Sequence, residues 1–509
     1  MSEDPARYPR DESLWLATTP PTDYDPIEDG LTVDVAVIGG GITGLSTAIN
    51  LIEAGRTVAV VEADRIVSGV TGHTTAKLTS LHGLIYDELL SEFGRSEADQ
   101  YATANEAAID EVESRAASAD IDCEFERTAA YTYSTSTDDL DTIRAEVRAA
   151  QSLGLPASFV ESTPLPFDVE GAVKFEEQAA FHPRKYLLAV AEQVHGDGSY
   201  VFEETQAQDV DPGSPCTVDT ERGSITADDV VIATHFPFFD RAGYFSRMHP
   251  HMAYLLAVQL SESPPEGMYY STNTPADTIR HRRTVDGQDM LLVGGQSHKP
   301  GEKDISTKER YRRCEAFARE YFPVESVEYR WSTMDYSTVD GVPFIGQIDP
   351  FTDSVYVGAG FSGWGMTGGT AAGMIISDLI VDGSSPWAEV FDPQRLTPGA
   401  STKEFVTENA EVGVDFLKDW AATVLSPDEV PVDLNEASVT RHDGRPVGIF
   451  RDGDGSVHAV SAICPHMGCL VRWNDAERTW DCPCHGSRFD YDGDVISGPA
   501  LDGLESREL

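Results

Sequence analysis

Two short segments near the C-terminus concentrate metal-ligating side chains: Cys464-Pro465-His466 and Cys482-Pro483-Cys484-His485. Cys464, His466, Cys482 and His485 together offer two thiolates and two imidazoles, and they are the candidate metal ligands. Such a set suits a 2Fe-2S cluster with the thiolates on one iron and the imidazoles on the other. It also suits a tetrahedral zinc. Of the seven cysteines, Cys464, Cys469, Cys482 and Cys484 crowd here, while Cys123, Cys216 and Cys314 are scattered. In a cytosolic protein such crowding points first to metal binding rather than to a disulfide scaffold.

Cys469 and Cys484 fill the remaining places of the patterns C-x-H-x-G-C and C-P-C-H-G-S. Over residues 430–509 this resembles the Rieske proteins of the cytochrome bc type, and zinc does not explain the added cysteines. The resemblance implies a 2Fe-2S cluster. It also implies a Cys469–Cys484 disulfide tying the two ligand loops together, protected from cytosolic reductants by burial beside the cluster. Ser487 stands where the family's serine hydroxyl bonds a cluster sulfur. Where the family's high-potential members have Tyr, this chain has Phe489. One hydrogen bond favouring the reduced state is therefore absent, and the potential is expected below the highest of the class.

A second chemistry lies near the N-terminus. Gly39-Gly40-Gly41-Ile42-Thr43-Gly44 satisfies G-x-G-x-x-G between a predicted strand and a predicted helix, with Glu62 closing the next strand. In that setting Gly39 permits the tight turn, Gly41 lets a pyrophosphate approach, and Gly44 packs helix on sheet. The helix start at Ile42 and Thr43 offers free N–H groups to phosphates. Glu62 would accept from the adenosine ribose hydroxyls. NAD and FAD share this fingerprint.

Two later segments favour FAD. Residues 340–346 (DGVPFIG) and 358–367 (GAGFSGWGMT) resemble the C-terminal FAD motifs of the D-amino-acid oxidase, sarcosine oxidase and glycine oxidase superfamily. The resemblance runs over residues 31–385. It implies that Gly363, Trp364, Gly365, Met366 and Thr367 lie against the pyrimidine edge of the flavin. The helix that follows would aim its positive end where reduction places negative charge. Residues 69–77 (GVTGHTTAK) resemble the family's flavin-contacting loop, which makes His73, Thr74 and Thr75 cofactor contacts. Some relatives, such as dimethylglycine dehydrogenases, have a histidine there covalently joined to the flavin. His73 is a candidate for that bond and equally for simple packing beside the isoalloxazine. The whole chain looks like the subgroup that fuses this oxidase fold to a Rieske domain.

Other polar residues carry less. His182-Pro183 and Tyr186 match a family helix start, a structural role. Arg280, Arg282, Arg283, His298 and Lys299 could face substrate but read mainly as a charged surface strand. No 2-His-1-carboxylate spacing is recognisable, which argues against an oxygenase with its own mononuclear iron. No catalytic residue is assigned.

The elements that must position these groups follow from hydrophobic patterning. Strands are expected at 32–38 and 57–62 with a helix at 42–53 between them, a βαβ opening. Helices are expected at 86–119, 138–153, 184–193, 307–321 and 367–381. Strands are expected at 131–134, within 217–234 and 254–295, and at 355–359. The fold class is thus α/β, a Rossmann-type FAD-binding domain with an interleaved α+β substrate domain, plus a small all-β Rieske domain. Residues 1–30 form an N-terminal arm, and residues 31–385 the oxidoreductase. Its FAD-binding parts are about 31–85, 180–240 and 330–385, with substrate-domain parts between them. Residues 386–430, with four prolines, are a linker, and residues 431–509 the Rieske domain.

There are 86 Asp and Glu against 37 Lys and Arg, a net charge of −49. The acids run through the whole chain and lysine is scarce. High salt screens such self-repulsion, so a halophilic source is expected. Nucleic acid and anionic membranes are excluded as partners by the same charge. No run approaches the roughly 18–20 apolar residues of a membrane span, and residues 1–10 lack an apolar signal region. The expected location is cytoplasmic.

Two redox groups in one chain imply electron transfer between them, the protein supplying orientation and electrostatics. The resemblance implies an amine or amino-acid substrate oxidised at a C–N bond, with electrons passed singly through the cluster to an unidentified one-electron partner. One alternative is the reverse flow, in which a ferredoxin-like donor feeds the cluster and the flavin reduces a substrate. The other is a non-enzymatic redox sensor or electron carrier.

Overall fold

The computed structural model describes residues 10–283, 289–302, 305–395, 420 and 432–509. The strand Leu31–Ile38 is apolar on both faces over Val35–Ile38, as a strand covered on both sides must be, and lies at the centre of an eight-stranded sheet. Val58–Val61 and then Tyr200–Phe202 extend the sheet in parallel on one side. Ser224–Ile232 and Val355–Ala359 extend it in parallel on the other, and Phe344–Gln347 closes that edge antiparallel. The helix Ile42–Glu53 begins immediately after the glycine turn and packs against the helix Gly365–Asp382.

The second layer is a ten-stranded mixed sheet built from the segments between the nucleotide-binding parts. Its long members are Met248–Leu260 and Val324–Thr338, antiparallel to each other. Met290–His298, Thr278–Arg282 and Met268–Ser271 continue it to Glu126–Ser134 and Gly171–Ala180. The helix Thr307–Tyr321 flanks this sheet. Ser306 caps it by accepting from the Glu309 N–H, an N-terminal device readable in the sequence as Ser-x-x-Glu.

The C-terminal unit has two small sheets, three strands over Glu436–Ser461 and four over Arg472–Ser497. Phe450, Trp480, Phe489 and Leu504 pack with Cys464 and Cys482 into one core. This unit is fastened to the oxidoreductase by hydrogen bonds. The Thr307 hydroxyl donates to Asn474 Oδ1 at 2.6 Å, Tyr311 Oη donates to Glu477 Oε1 at 2.7 Å, and Arg472 donates to the Gly301 carbonyl at 2.7 Å.

Several sequence expectations shift. The predicted helix over 86–119 is two helices, Tyr86–Glu92 and Arg95–Ser118, because Gly94 at φ +95° breaks the run. The helix at 138–153 begins with a 3-10 turn, Thr137–Asp139, before Leu140–Ser152. The strands Gly171–Ala180 and Val324–Thr338 were not expected, although the latter alternates buried and half-buried residues over its second half. The N-terminal stretch contains a short strand, Arg10–Asp11, beside Val324–Thr338, and a helix, Leu14–Ala17, that buries Leu14 and Trp15. Within the expected linker, Ala388–Phe391 is helical and Arg395 makes a buried ion pair with Asp340 at 2.7 Å. Residues 396–419 and 421–430 of that linker lie outside the described residues.

Candidate functional site

A cavity of about 1430 Å³ runs between the two large sheets and is walled on one side by the C-terminal unit. That exceeds the range of roughly 300–1,000 Å³ for a single small-molecule pocket. It leaves room for a dinucleotide and a second small molecule.

Gly39, Gly41, Ile42 and Thr43 line it at the nucleotide end. Gly44 does not. A Cβ there would stand 1.9 Å from the Gly39 carbonyl oxygen, so the residue serves the close packing of helix on turn. The Ile42 N–H donates to Thr71 Oγ1 at 3.2 Å. Glu62 lies just past the strand Val58–Val61 and faces the cavity. Its carboxylate accepts from the Gly40 N–H at 2.8 Å and from the Asp64 N–H at 3.2 Å, and burial raises its pKa.

His73, Thr74 and Thr75 also line the cavity. His73 closes the 3-10 turn Val70–His73, and its Nδ1 sits 2.9 Å from the Gly69 carbonyl. The loop is pinned from outside by residues whose role sequence reasoning missed. The Ser13 hydroxyl donates to the Gly72 carbonyl at 2.5 Å, and Trp15 Nε1 donates to the Thr74 carbonyl at 2.7 Å. Arg280 donates to the Thr75 carbonyl at 2.7 Å. The N-terminal segment is thus a strap over this loop.

Gly363, Trp364, Gly365 and Met366 face the cavity at its other end. Thr367 is buried behind the turn. Its hydroxyl donates to the Thr79 carbonyl at 2.7 Å, so it supports the turn rather than facing the cavity as expected. Asp335, which sequence reasoning also missed, holds the turn directly: its Oδ2 accepts from the Gly363 N–H at 2.5 Å. Its Oδ1 lies 3.2 Å from His235 Nε2.

Lys77 is a further unforeseen feature. It lines the cavity at 6% exposure, with Nζ 2.5 Å from both the Tyr269 carbonyl and Thr278 Oγ1. Burial, with the nearby Arg280 charge second, lowers its pKa to about 7. Arg280 and Arg282 are buried, not members of a charged surface strand. The first bonds backbone carbonyls, and the second bonds both carboxylate oxygens of Glu124. His298 is buried against Tyr254 at 3.0 Å, whereas Arg283 is exposed as expected. His182 caps the helix Pro183–Val194 by accepting from the Lys185 N–H, the structural role foreseen.

The second site is built from two loops of the C-terminal unit. Cys464 and His466 follow the strand Val457–Ser461, and Cys482 and His485 link Thr479–Asp481 to Arg488–Phe489. The Cys464 and Cys482 thiols are neighbours. That neighbour, with the His466 N–H and the Ser487 hydroxyl, lowers the pKa of Cys464 below the ordinary thiol range. The His466 and His485 rings stand 5.0 Å apart at 88°. The Nδ1 atoms of both are buried without a hydrogen-bond partner. Buried polar atoms are rarely left so unless something absent from the protein itself engages them. Two adjacent thiols and two adjacent orphaned imidazole nitrogens match a cluster with sulfur on one iron and nitrogen on the other.

Cys469 and Cys484 form a disulfide across the two loops. The Cys469, Cys482 and Cys484 sulfurs lie within 4.8 Å of one another, but two of them are already consumed by that bond. Ser487 is fully buried beside Cys464 and also accepts from the Ala500 N–H at 3.1 Å. Among the described residues no helix is long and apolar enough to cross a membrane.

Comparison with known proteins agrees with both sites. Residues 34–379 match the model of the FAD dependent oxidoreductase family, and residues 421–508 that of the Rieske [2Fe-2S] domain. The chain is 36% identical over 503 residues to YhfW of Bacillus subtilis (strain 168), which carries the name of a Rieske 2Fe-2S iron-sulfur protein; 98% of each chain is covered. It is 24% identical over 373 residues to the gamma-glutamylputrescine oxidoreductase of Escherichia coli (strain K12), covering 70% of this chain and 85% of that one. Its fold matches the crystal structure of glycine oxidase from Geobacillus kaustophilus with a TM-score of 0.58 at 19% identity, over 72% of this chain and 99% of that one.

Proposed function

Because the chain belongs to the FAD dependent oxidoreductase family and ends in a Rieske [2Fe-2S] domain, we propose that it oxidises an amine or amino acid at a C–N bond and releases the electrons singly through the cluster. The observation that carries this reading is the shared cavity. The dinucleotide turn at Gly39–Thr43 and residues of the Rieske domain, among them Glu477, Arg488 and Ala500, wall the same space. A neighbour named gamma-glutamylputrescine oxidoreductase supports an amine-type substrate.

In this reading Gly41, Ile42, Thr43 and Glu62 hold the dinucleotide half of FAD. His73, Thr74, Thr75 and the turn Gly363–Met366 hold the flavin half, with Gly44 and Thr367 packing behind them. Cys464, His466, Cys482 and His485 hold the cluster. Bound FAD would take two electrons from substrate as a hydride, and the cluster would pass them on one at a time. Asp335 fixes the backbone of the flavin turn by accepting from Gly363, and Lys77 presents its amine to the same cavity. The strap, through Ser13 and Trp15, fixes the backbone of the loop that carries His73.

The test is anaerobic mixing of oxidised holoprotein with a panel of amines and amino acids, following flavin and cluster absorbance. Flavin bleaching ahead of cluster bleaching supports the proposal. Reduction only by a ferredoxin-like donor would establish the reverse flow, and response to inorganic redox agents alone would establish a sensor or carrier.

A further inference from the structure

One strand reaches both sites. In Val324–Thr338 successive side chains point to opposite faces, and the neighbours Asp335 and Tyr336 use this to face different sites. Asp335 accepts from the Gly363 N–H at 2.5 Å at the flavin turn. Tyr336 is fully buried and donates its hydroxyl to the His485 carbonyl at 2.8 Å in the cluster loop. The Ser362 N–H, next to that turn, donates to the Tyr336 carbonyl at 3.0 Å. A continuous line of covalent bonds and two hydrogen bonds therefore joins Gly363 to His485.

Other parts of the oxidoreductase also pack against the His485 loop. The His485 ring lies against the Phe245 backbone and stands 6.0 Å from the Phe245 ring, while the Phe236 ring is shared, 6.2 Å from His485 and 6.3 Å from His466. A Cβ on the next residue, Gly486, would stand 2.9 Å from both Tyr336 Oη and Pro250 Cβ and 2.8 Å from Met334 Sδ. Only glycine allows so close a seat. The two cluster histidines are thus inequivalent. His485 is 6% exposed and held by the oxidoreductase, whereas His466 is less buried and precedes Met467, which is 49% exposed.

We infer that Tyr336 is a positioning residue that ties His485 to the strand holding the flavin turn, making His485 the inward electron port of the cluster and leaving the His466 side for the external one-electron acceptor. This rests on the proposed exchange of electrons between the two cofactors but not on the identity of the organic substrate. In the step served, one electron leaves reduced flavin and one enters the oxidised cluster. The external acceptor must re-oxidise the cluster before the second electron follows.

Flash photoreduction of the full-length holoprotein with a deazaflavin under argon tests this without any amine. Flavin and cluster absorbance are followed in wild type, Tyr336→Phe and Asp335→Ala. The expected result is a first-order intraprotein phase in wild type, independent of protein concentration. That phase should slow on the order of tenfold in Tyr336→Phe, with cluster content and midpoint potential unchanged and only the modest loss of melting temperature that one buried hydrogen bond accounts for. Asp335→Ala removes the Gly363 bond but leaves the backbone bond from Ser362 to Tyr336, and is expected to slow the same phase less than Tyr336→Phe. An unchanged rate in both variants overturns the inference, as does a wild-type phase that scales with protein concentration.

Discussion

The Ser487 hydroxyl lies beside the thiol of Cys464 and, after Cys482, helps hold its pKa below the ordinary thiol range, and both side chains are buried. A ligand sulfur held in this way, beside two imidazole Nδ1 atoms without partners, makes the cluster site specific enough to test residue by residue. Reduced protein should show a Rieske-type paramagnetic spectrum with two irons and two acid-labile sulfides per chain. His466→Ala or His485→Cys should abolish that spectrum and leave FAD bound, because neither residue lines the flavin cavity. Stoichiometric zinc in place of iron would reject the assignment.

Phe489 is fully buried in the core that contains Cys464 and Cys482. Phe489→Tyr places a hydroxyl near the ligand sulfurs. A bond donated to sulfur favours the electron-rich reduced state, so the midpoint potential should rise. A tenfold change in the one-electron equilibrium, about 1.4 kcal/mol, is about 59 mV. A redox titration followed by electron paramagnetic resonance measures it. A fall, or no shift, would mean the ring does not reach the sulfurs.

Lys77 gives the fold a pH dependence whose sign is fixed. Its pKa in the fold is about 7 against an ordinary 10.5. Between these values the unfolded chain binds more protons at this site than the folded one. Stability therefore rises with pH across that window. The burden is fully present below about pH 7 and relieved as pH approaches 10.5. Melting temperatures of wild type and Lys77→Met from pH 6 to 10 should converge or cross as this slope is removed in the variant. Parallel curves would show that Lys77 keeps an ordinary pKa.

Local motifs made much of both sites legible. The glycine turn, Glu62, the Gly363 turn and the four cluster ligands lie within short stretches whose spacing carries the chemistry. What stayed hidden depends on contacts between distant parts of the chain. Tyr336 meets His485 149 residues away, and Trp331 donates to the His73 carbonyl 258 residues away. Nothing in the types of Asp335, Tyr336 or Trp15 announces such partners. The strand Val324–Thr338 could have been found, since Tyr329, Trp331, Met334 and Tyr336 are its buried members. Its interleaved Glu325, Glu328, Arg330 and Asp335 obscured the pattern.

The charge of −49 predicts salt-dependent stability. The screening length falls from roughly 10 Å at 0.1 M to roughly 3 Å at 1 M salt, which weakens repulsion between dispersed carboxylates. The melting temperature should rise over that range. A flat profile would remove the argument for a halophilic source.

The last prediction concerns His73. Its Nδ1 is occupied at 2.9 Å from the Gly69 carbonyl, its own carbonyl takes the Trp331 indole N–H at 2.9 Å, and the ring borders the flavin cavity. The imidazole is therefore held in place by its inner nitrogen, and Nε2 is the atom left to meet the flavin. Burial lowers the His73 pKa, which keeps that nitrogen unprotonated and nucleophilic near neutral pH. A covalent bond from Nε2 would raise the flavin potential, favouring hydride removal from an unactivated amine. It would also retain the cofactor when low salt loosens the fold. Acid precipitation decides between bond and packing: a yellow pellet that turns colourless in His73→Ala establishes the bond. A colourless wild-type pellet under a yellow supernatant would instead assign His73 to packing beside the isoalloxazine.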